Sequence, residues 1–364
     1  MEGELKNLVT VWLSIIACLS YCYFISAKIP KGKCRLFSLL PIFYLFTIFP
    51  LYLTSAFNTA VTAFFITWLA NFKLLLFAFD LGPLSWDPPK SLPIFITIAA
   101  LPIKIKQKRN YTSSQTTQKS PLNSEKSAEP TKKPTKLPLN LATESLAFTI
   151  FIGVLHNYKE RIHEKLIFVV YCCLVFLLVD LLIAVSSALV RSLVGLELEA
   201  PSDEPYLSTS LQDFWGRRWN LIVTNTLRHT VYKPVRSLSA IFFGDNWAPL
   251  PAVLASFLVS GLMHELLFYY VTRASPSWET TSFFVLQGIC VIAEFGLKKG
   301  LNERLRLPWF VSGPLTLGFV VSTSFWLFFP PLVKNGADVK VIEEFKFFVE
   351  YMKMNLEFPK LVGQ

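Results

Sequence analysis

Charge is what this 364-residue chain has least of. Only 16% of its residues are Asp, Glu, Lys or Arg, against about 25% in soluble domains, and that scarcity excludes an ordinary water-soluble fold. Histidine occurs four times. The six cysteines, Cys18, Cys22, Cys34, Cys172, Cys173 and Cys290, mostly lie in apolar runs and show neither metal-ligand spacing nor a regular disulfide framework, so they read as packing residues. No metal and no resident cofactor is expected. The net charge of +10 comes with no soluble basic domain and no nucleic-acid-binding motif, which argues against a nucleic-acid partner. The first apolar run lacks a basic leader, because Glu2 and Glu4 outweigh Lys6, and no small-residue cleavage site follows it, so a retained span is expected rather than a signal peptide. No repeat relates the two halves, and no terminal Lys-Asp-Glu-Leu is present.

What the chain has in abundance is apolar sequence, 52% of its residues. Several runs approach the roughly 20 residues a helix needs to cross a bilayer. The clearest cover 8–26, 36–57, 58–79, 166–188, 248–271, 281–297 and 308–333, with a marginal one at 140–156. The run at 92–103 is too short to cross and reads as re-entrant or interfacial. The fold class that follows is all-α: a polytopic integral membrane protein of about eight transmembrane helices with additional re-entrant and interfacial helices.

Residues 104–139 are rich in Ser, Thr, Lys and Pro and cannot bury enough surface to order themselves. They form a polar linker that divides amino-terminal helices, 1–103, from a helical core over 140–337. Residues 338–364 make an amphipathic tail, with Val341, Phe345, Phe348 and Met352 in one helical stripe. Lysine and arginine in short loops set orientation. Lys28, Lys31, Lys33 and Arg35, the linker, the loop 189–237 and the loop 298–307 with Lys298, Lys299, Arg304 and Arg306 all fall on the cytosolic side if 92–103 does not cross. Both termini then lie on the other side, together with a dissonant basic loop, 157–165, that carries Lys159, Arg161 and Lys165.

One histidine stands inside a membrane-length run. His264 lies in Pro251-Ala-Val-Leu-Ala-Ser-Phe-Leu-Val-Ser-Gly-Leu-Met-His-Glu-Leu-Leu-Phe-Tyr-Tyr270, where an ionisable side chain is costly and marks a functional site by default. Ser256, Ser260 and Gly261 precede it by eight, four and three residues and share its helix face. Small side chains there either leave room for a substrate to line a cavity beside the ring or let a neighbouring helix pack closely. Glu265 points about 100° away and is a poor orienting partner. His229 is a rival among polar and basic residues, while His156 and His163 sit near a span end with Lys and Glu and read as solvated. Lys73, Glu144, Asp180 and Glu294, in or near apolar segments, read as paired structural groups.

The densest polar and aromatic stretch is Pro205-Tyr-Leu-Ser-Thr-Ser-Leu-Gln-Asp-Phe-Trp-Gly-Arg-Arg-Trp-Asn220 and the sequence that follows to Arg236. A helix from about 210 would stack Trp215 and Trp219 on one face and pair Asp213 with Arg217 across four residues. The string Ser-Leu-Gln-Asp-Phe-Trp-Gly-Arg-Arg-Trp-Asn220 with the later Val-Ser-Gly-Leu-Met-His-Glu265 resembles the plant wax synthase branch of the membrane-bound O-acyltransferases. Leu69-Ala-Asn-Phe-Lys-Leu-Leu-Leu-Phe-Ala-Phe79 and Gly82-Pro-Leu-Ser85 are similar to that branch as well.

The resemblance covers most of the chain and implies a site formed by Asn220 and His264. It implies transfer of a fatty acyl group from acyl-CoA to a long-chain alcohol in the endoplasmic reticulum, with a sterol as the alternative acceptor. In that scheme His264 takes the hydroxyl proton, since an imidazole with a pKa near 6.5 is largely neutral around pH 7. Asn220 donates to the developing oxyanion or orients the substrates. Trp215, Arg217, Arg218, Trp219, Arg228, Lys233 and Arg236 are the candidate acyl-CoA contacts, the cations because guanidinium and ammonium groups hold phosphate. The competing class is a transporter, which would more often show internal repeats and broken helices.

Overall fold

The computed structural model describes residues 2–85, 91–103, 141–195, 202–300 and 307–361, and among them every regular element is helical. The linker 104–139 therefore lies outside the described residues, as do Arg304 and Arg306. Among the described residues seven helical segments are long and apolar enough to cross a membrane: Gly3–Lys28, Lys33–Tyr52, Ala56–Ala78, Glu164–Ser192, Pro249–Thr272, Glu279–Lys298 and Trp309–Lys334. The marginal run at 140–156 forms the helix α6, Leu141–Tyr158, which is not among the seven.

In the amino-terminal half α1 (Glu2–Phe24), α2 (Lys33–Ile48) and the third span, built from α3 (Ala56–Thr62) and α4 (Asn71–Ala78), enclose Ile15, Leu19, Leu39, Phe46 and Leu74. The run expected to be re-entrant forms α5, Leu92–Ala100, whose nine residues rise about 14 Å. Its carbonyl end is anchored by Lys73, whose Nζ donates to Ile98 O at 2.7 Å and Leu101 O at 2.6 Å. A cation at a helix C-terminus satisfies carbonyls that have no partner in the helix. Lys73 is therefore a buried, partnered group, and its partners are backbone carbonyls. Arg35 behaves likewise, donating to the carbonyls of Ala27, Ile29 and Phe77.

The carboxy-terminal half runs through α6, α7 (Glu164–Val194), the short α8 (Leu211–Asp213) and α9 (Leu221–Leu227), and then α10 (Lys233–Phe243). The spans α11 (Pro249–Thr272), α12 (Glu279–Gly300) and α13 (Trp309–Thr323) follow, and α14 (Pro330–Lys334) and α15 (Ala337–Leu361) end the chain. Between apolar helices in lipid no hydrophobic force acts, so close packing and hydrogen bonds must hold them together. Gly261 and Gly288 supply the first. A Cβ on Gly261 would stand 3.0 Å from the Thr281 Cα, and one on Gly288 would stand 3.0 Å from the Phe257 Cβ. Glu265 supplies the second: its Oε1 accepts from Trp278 N at 2.7 Å and its Oε2 from Thr281 N at 3.1 Å, capping the start of α12 from the neighbouring helix.

Four spans or loops contain a widened, π-helical turn: Ala63–Ala70 between α3 and α4, Phe214–Arg218, Arg228–Tyr232 and Ser324–Phe328. The second of these changes the pairing expected from ordinary helical spacing. Asp213 Oδ2 accepts from Arg218 Nε at 2.7 Å instead of meeting Arg217, and Trp219 stacks on Phe214 at 5.8 Å instead of on Trp215. In both cases the partner is five residues away, as an i→i+5 turn requires.

Candidate active site

All four π-helical turns contribute to one cavity of about 1220 Å³. It is lined almost wholly by apolar side chains, and it exceeds the roughly 300–1000 Å³ of a pocket for one small ligand. Such turns occur frequently at functional sites, because the extra residue displaces side chains from the helix register. Phe64 and Trp68 enter from the third span, Phe328 from the seventh, and Val341 and Ile342 from the carboxy-terminal tail. The wall thus draws on the chain on both sides of the linker.

His264 stands in this wall. Its Nδ1 lies 2.8 Å from the Ser260 carbonyl oxygen, one turn earlier in α11. A carbonyl only accepts, so Nδ1 carries the hydrogen and Nε2 is left with its lone pair. An aromatic cage fixes the ring: Phe284 stacks at 4.4 Å, Trp68 meets it edge to face at 4.8 Å, and Phe328 packs at 5.7 Å. Ser256 and Ser260 line the cavity, as the helical spacing suggests. Gly261 does not. It faces Thr281 and Phe284, and its missing side chain serves the approach of α12.

Asn220 is in the same wall. It has a positive φ of 37°, a conformation asparagine tolerates better than most residues, and it is the N-cap of α9. Its Oδ1 accepts from Val223 N at 3.2 Å. With the amide oxygen committed to the cap, the Nδ2 donor is the group left without a partner among the described residues. Trp215 and Trp219 also face the cavity. Trp215 is held by a buried polar chain that sequence reasoning missed: its Nε1 donates to Gln287 Oε1 at 3.1 Å, and Gln287 Nε2 donates to Thr323 Oγ1 at 2.8 Å. Gln287 is fully buried. The only hint was an amide among Phe283, Phe284, Val285 and Leu286.

The candidate phosphate contacts divide. Arg228, Lys233 and Arg236 line the cavity, are exposed, and meet no carboxylate among the described residues. Arg217 is exposed away from the cavity. Arg218 is also outside the lining, its guanidinium held by Asp213 and by the carbonyls of Asp203 and Glu204. The π-helical turn explains both positions, because it rotates these two side chains off the Trp215 face. His229 is likewise outside the cavity, with Nδ1 2.9 Å from Asn225 O. His156 and His163 are exposed, and the latter caps α7. Asp180 accepts from Ser202 at 2.7 Å and hydrogen-bonds Glu144, and Glu294 binds Lys298 at 2.5 Å and Gln212 N at 3.1 Å, so each acidic group is partnered.

The profile of the Membrane bound O-acyl transferase family matches residues 199–286, the segment from the loop before Asp213 through His264 to Leu286. The chain is 42% identical over 357 residues to a long-chain-alcohol O-fatty-acyltransferase of Simmondsia chinensis, covering 98% of both chains. The chain belongs to the membrane-bound O-acyltransferase family. Other relatives of this acyltransferase include a probable long-chain-alcohol O-fatty-acyltransferase 1 of Arabidopsis thaliana, 41% identical over 94% of this chain and 96% of that one. An acyl-CoA–sterol O-acyltransferase 1 of the same plant is 39% identical over 94% of each chain. With its seven apolar spans, the acyltransferase is an integral membrane protein.

Proposed function

We propose that this acyltransferase moves a fatty acyl group from acyl-CoA to the hydroxyl of a long-chain alcohol, forming a wax ester, with His264 as general base. The observation that carries the reading is the imidazole tautomer. Ser260 holds the Nδ1 hydrogen, so Nε2 offers a lone pair on the wall of a cavity large and apolar enough for two long chains. As the alcohol oxygen bonds to the thioester carbon, Nε2 takes its proton, and the carbonyl oxygen becomes an oxyanion. Collapse breaks the C–S bond, and the departing thiolate takes the proton back from Nε2. Asn220 Nδ2 is a donor available to the oxyanion. Arg228, Lys233 and Arg236 line the cavity, meet no carboxylate among the described residues, and suit the phosphates of CoA. No resident cofactor enters the scheme, and residence in the endoplasmic reticulum is part of the same reading.

Microsomes carrying His264→Ala are expected to contain normal amounts of protein and to lose ester synthesis by about 10²–10⁴-fold, the usual worth of a positioned base. Near-normal product from that variant would overturn the assignment. A sterol is the second acceptor to offer in the assay, because a sterol acyltransferase stands among the relatives at similar identity. The mass of the ester identifies the true acceptor.

A further inference from the structure

Trp68 lies on the π-helical turn of the third span, 2% exposed, with its indole at right angles to the His264 ring. Its Nε1 hydrogen is buried and has no acceptor among the described residues. Buried tryptophans usually find a partner for this group, and leaving a donor unsatisfied costs about 1–3 kcal/mol. Phenylalanine would supply an aromatic ring without that cost, and this chain uses it for the rest of the cage, at Phe284 and Phe328. The indole does not donate to His264 Nε2, which stays free. An N–H kept without an acceptor among the described residues, on a tryptophan that lines the cavity beside the proposed base, calls for an acceptor supplied by the substrate.

We infer that Trp68 is a further catalytic residue, donating from Nε1 to the carbonyl oxygen of the acyl thioester. This rests on the general-base reading of His264. Two substrate oxygens meet at the reacting centre. The alcohol oxygen must give its proton to Nε2 and a lone pair to the thioester carbon, so a donor placed on that lone pair would slow the attack. The carbonyl oxygen instead gains a full negative charge as the C–O bond forms and loses it as the C–S bond breaks. A pre-placed donor is worth most where charge develops. Trp68 and Asn220, from opposite sides of the linker in the sequence, then form a two-donor oxyanion site.

The test uses the full-length protein in membranes and compares wild type, Trp68→Phe, His264→Ala and a Trp68 replaced by benzothienylalanine, which keeps the bicyclic shape and substitutes sulfur for N–H. The expected result for both Trp68 variants is kcat lower by about 10- to 100-fold, with KM for acyl-CoA and for the alcohol changed by less than about threefold and normal accumulation. A packing role alone would lower the amount of protein for Trp68→Phe and spare the benzothienyl variant. Trp68 variants with kcat within about threefold of wild type, in a protein that His264→Ala inactivates, overturn the donor assignment alone. An active His264→Ala overturns the general-base reading beneath it.

Discussion

At Asn220 one side chain does two separable things. Its Oδ1 caps α9 and its Nδ2 remains available at the cavity, and the backbone is in the left-handed region. Asn220→Ala disturbs both functions, since alanine is strained at positive φ and loss of an N-cap costs about 1 kcal/mol. Asn220→Asp is the sharper probe. A carboxylate keeps the cap, because it still accepts from Val223 N, but it replaces the donor with a second acceptor that repels an oxyanion. The expected outcome is a variant that melts within a few degrees of wild type in detergent and loses ester formation by about 10²-fold or more. Retained activity in Asn220→Asp would show that Nδ2 does not face the reacting oxygen. His264 was legible in the sequence because an ionisable side chain in an apolar run is rare. Trp68 and Gln287 were not, since a tryptophan in a span reads as an ordinary apolar filler and nothing in the residues around Gln287 indicates that Trp215 and Thr323 meet it.

At the scale of elements, the spans could be read from length and composition, whereas the turns that shape the site could not. A π-helical turn adds one residue without altering the hydrophobic content of a span, so pairings drawn at four residues, such as Asp213 with Arg217, miss the partner at five. The helix face around His264 shows the same limit: Ser256, Ser260 and Gly261 share it, yet only the serines reach the cavity, because α12 occupies the remaining sector. Gly261 therefore belongs to the α11–α12 seam. Adding a single methyl in Gly261→Ala forces the Thr281 backbone to move, and overpacking of this kind costs roughly 1–3 kcal/mol. The expected signature is a lower melting temperature with the ratio of products from short and long alcohols unchanged. A Gly261→Ala variant of normal stability with altered alcohol preference would instead return the glycine to the cavity. The Glu265 bridge to Trp278 and Thr281 spans the same seam, so the two sites are close enough to couple.

At the scale of the whole molecule, contacts between loops sort the chain into two ends. Glu4 accepts from Thr54 and Ser55, Arg273 donates to the carbonyls of Pro50, Leu51 and Leu53, and Glu344 accepts from Ala56 and Phe57. The amino terminus, the loop after α2, the loop after α11 and the tail therefore share one end. At the other end Gly32 N bonds Ala78 O and Gln212 N bonds Glu294. The loop 157–165 is the basic exception, and the structure gives its Lys159 a partner. Lys159 Nζ and the Tyr171 hydroxyl donate to Asp338 Oδ2 at 2.7 and 2.6 Å, seating α15 where Val341 and Ile342 line the cavity. Burial alone would raise the Asp338 pKa, but the hydrogen bonds from Lys159 and Tyr171 and the lysine charge outweigh it and hold the carboxyl below its ordinary value. A depressed native pKa gives stabilisation that is complete above the unfolded value, near 3.9, and is lost as pH falls through the native one. Wild type is thus expected to melt above Asp338→Asn at neutral pH, with the gap closing once the pH drops below about 4. Thermal melts of both proteins across that range, each in the same detergent, provide the measurement, and a gap that persists undiminished in acid would mean that the charge of Asp338 does not seat the tail.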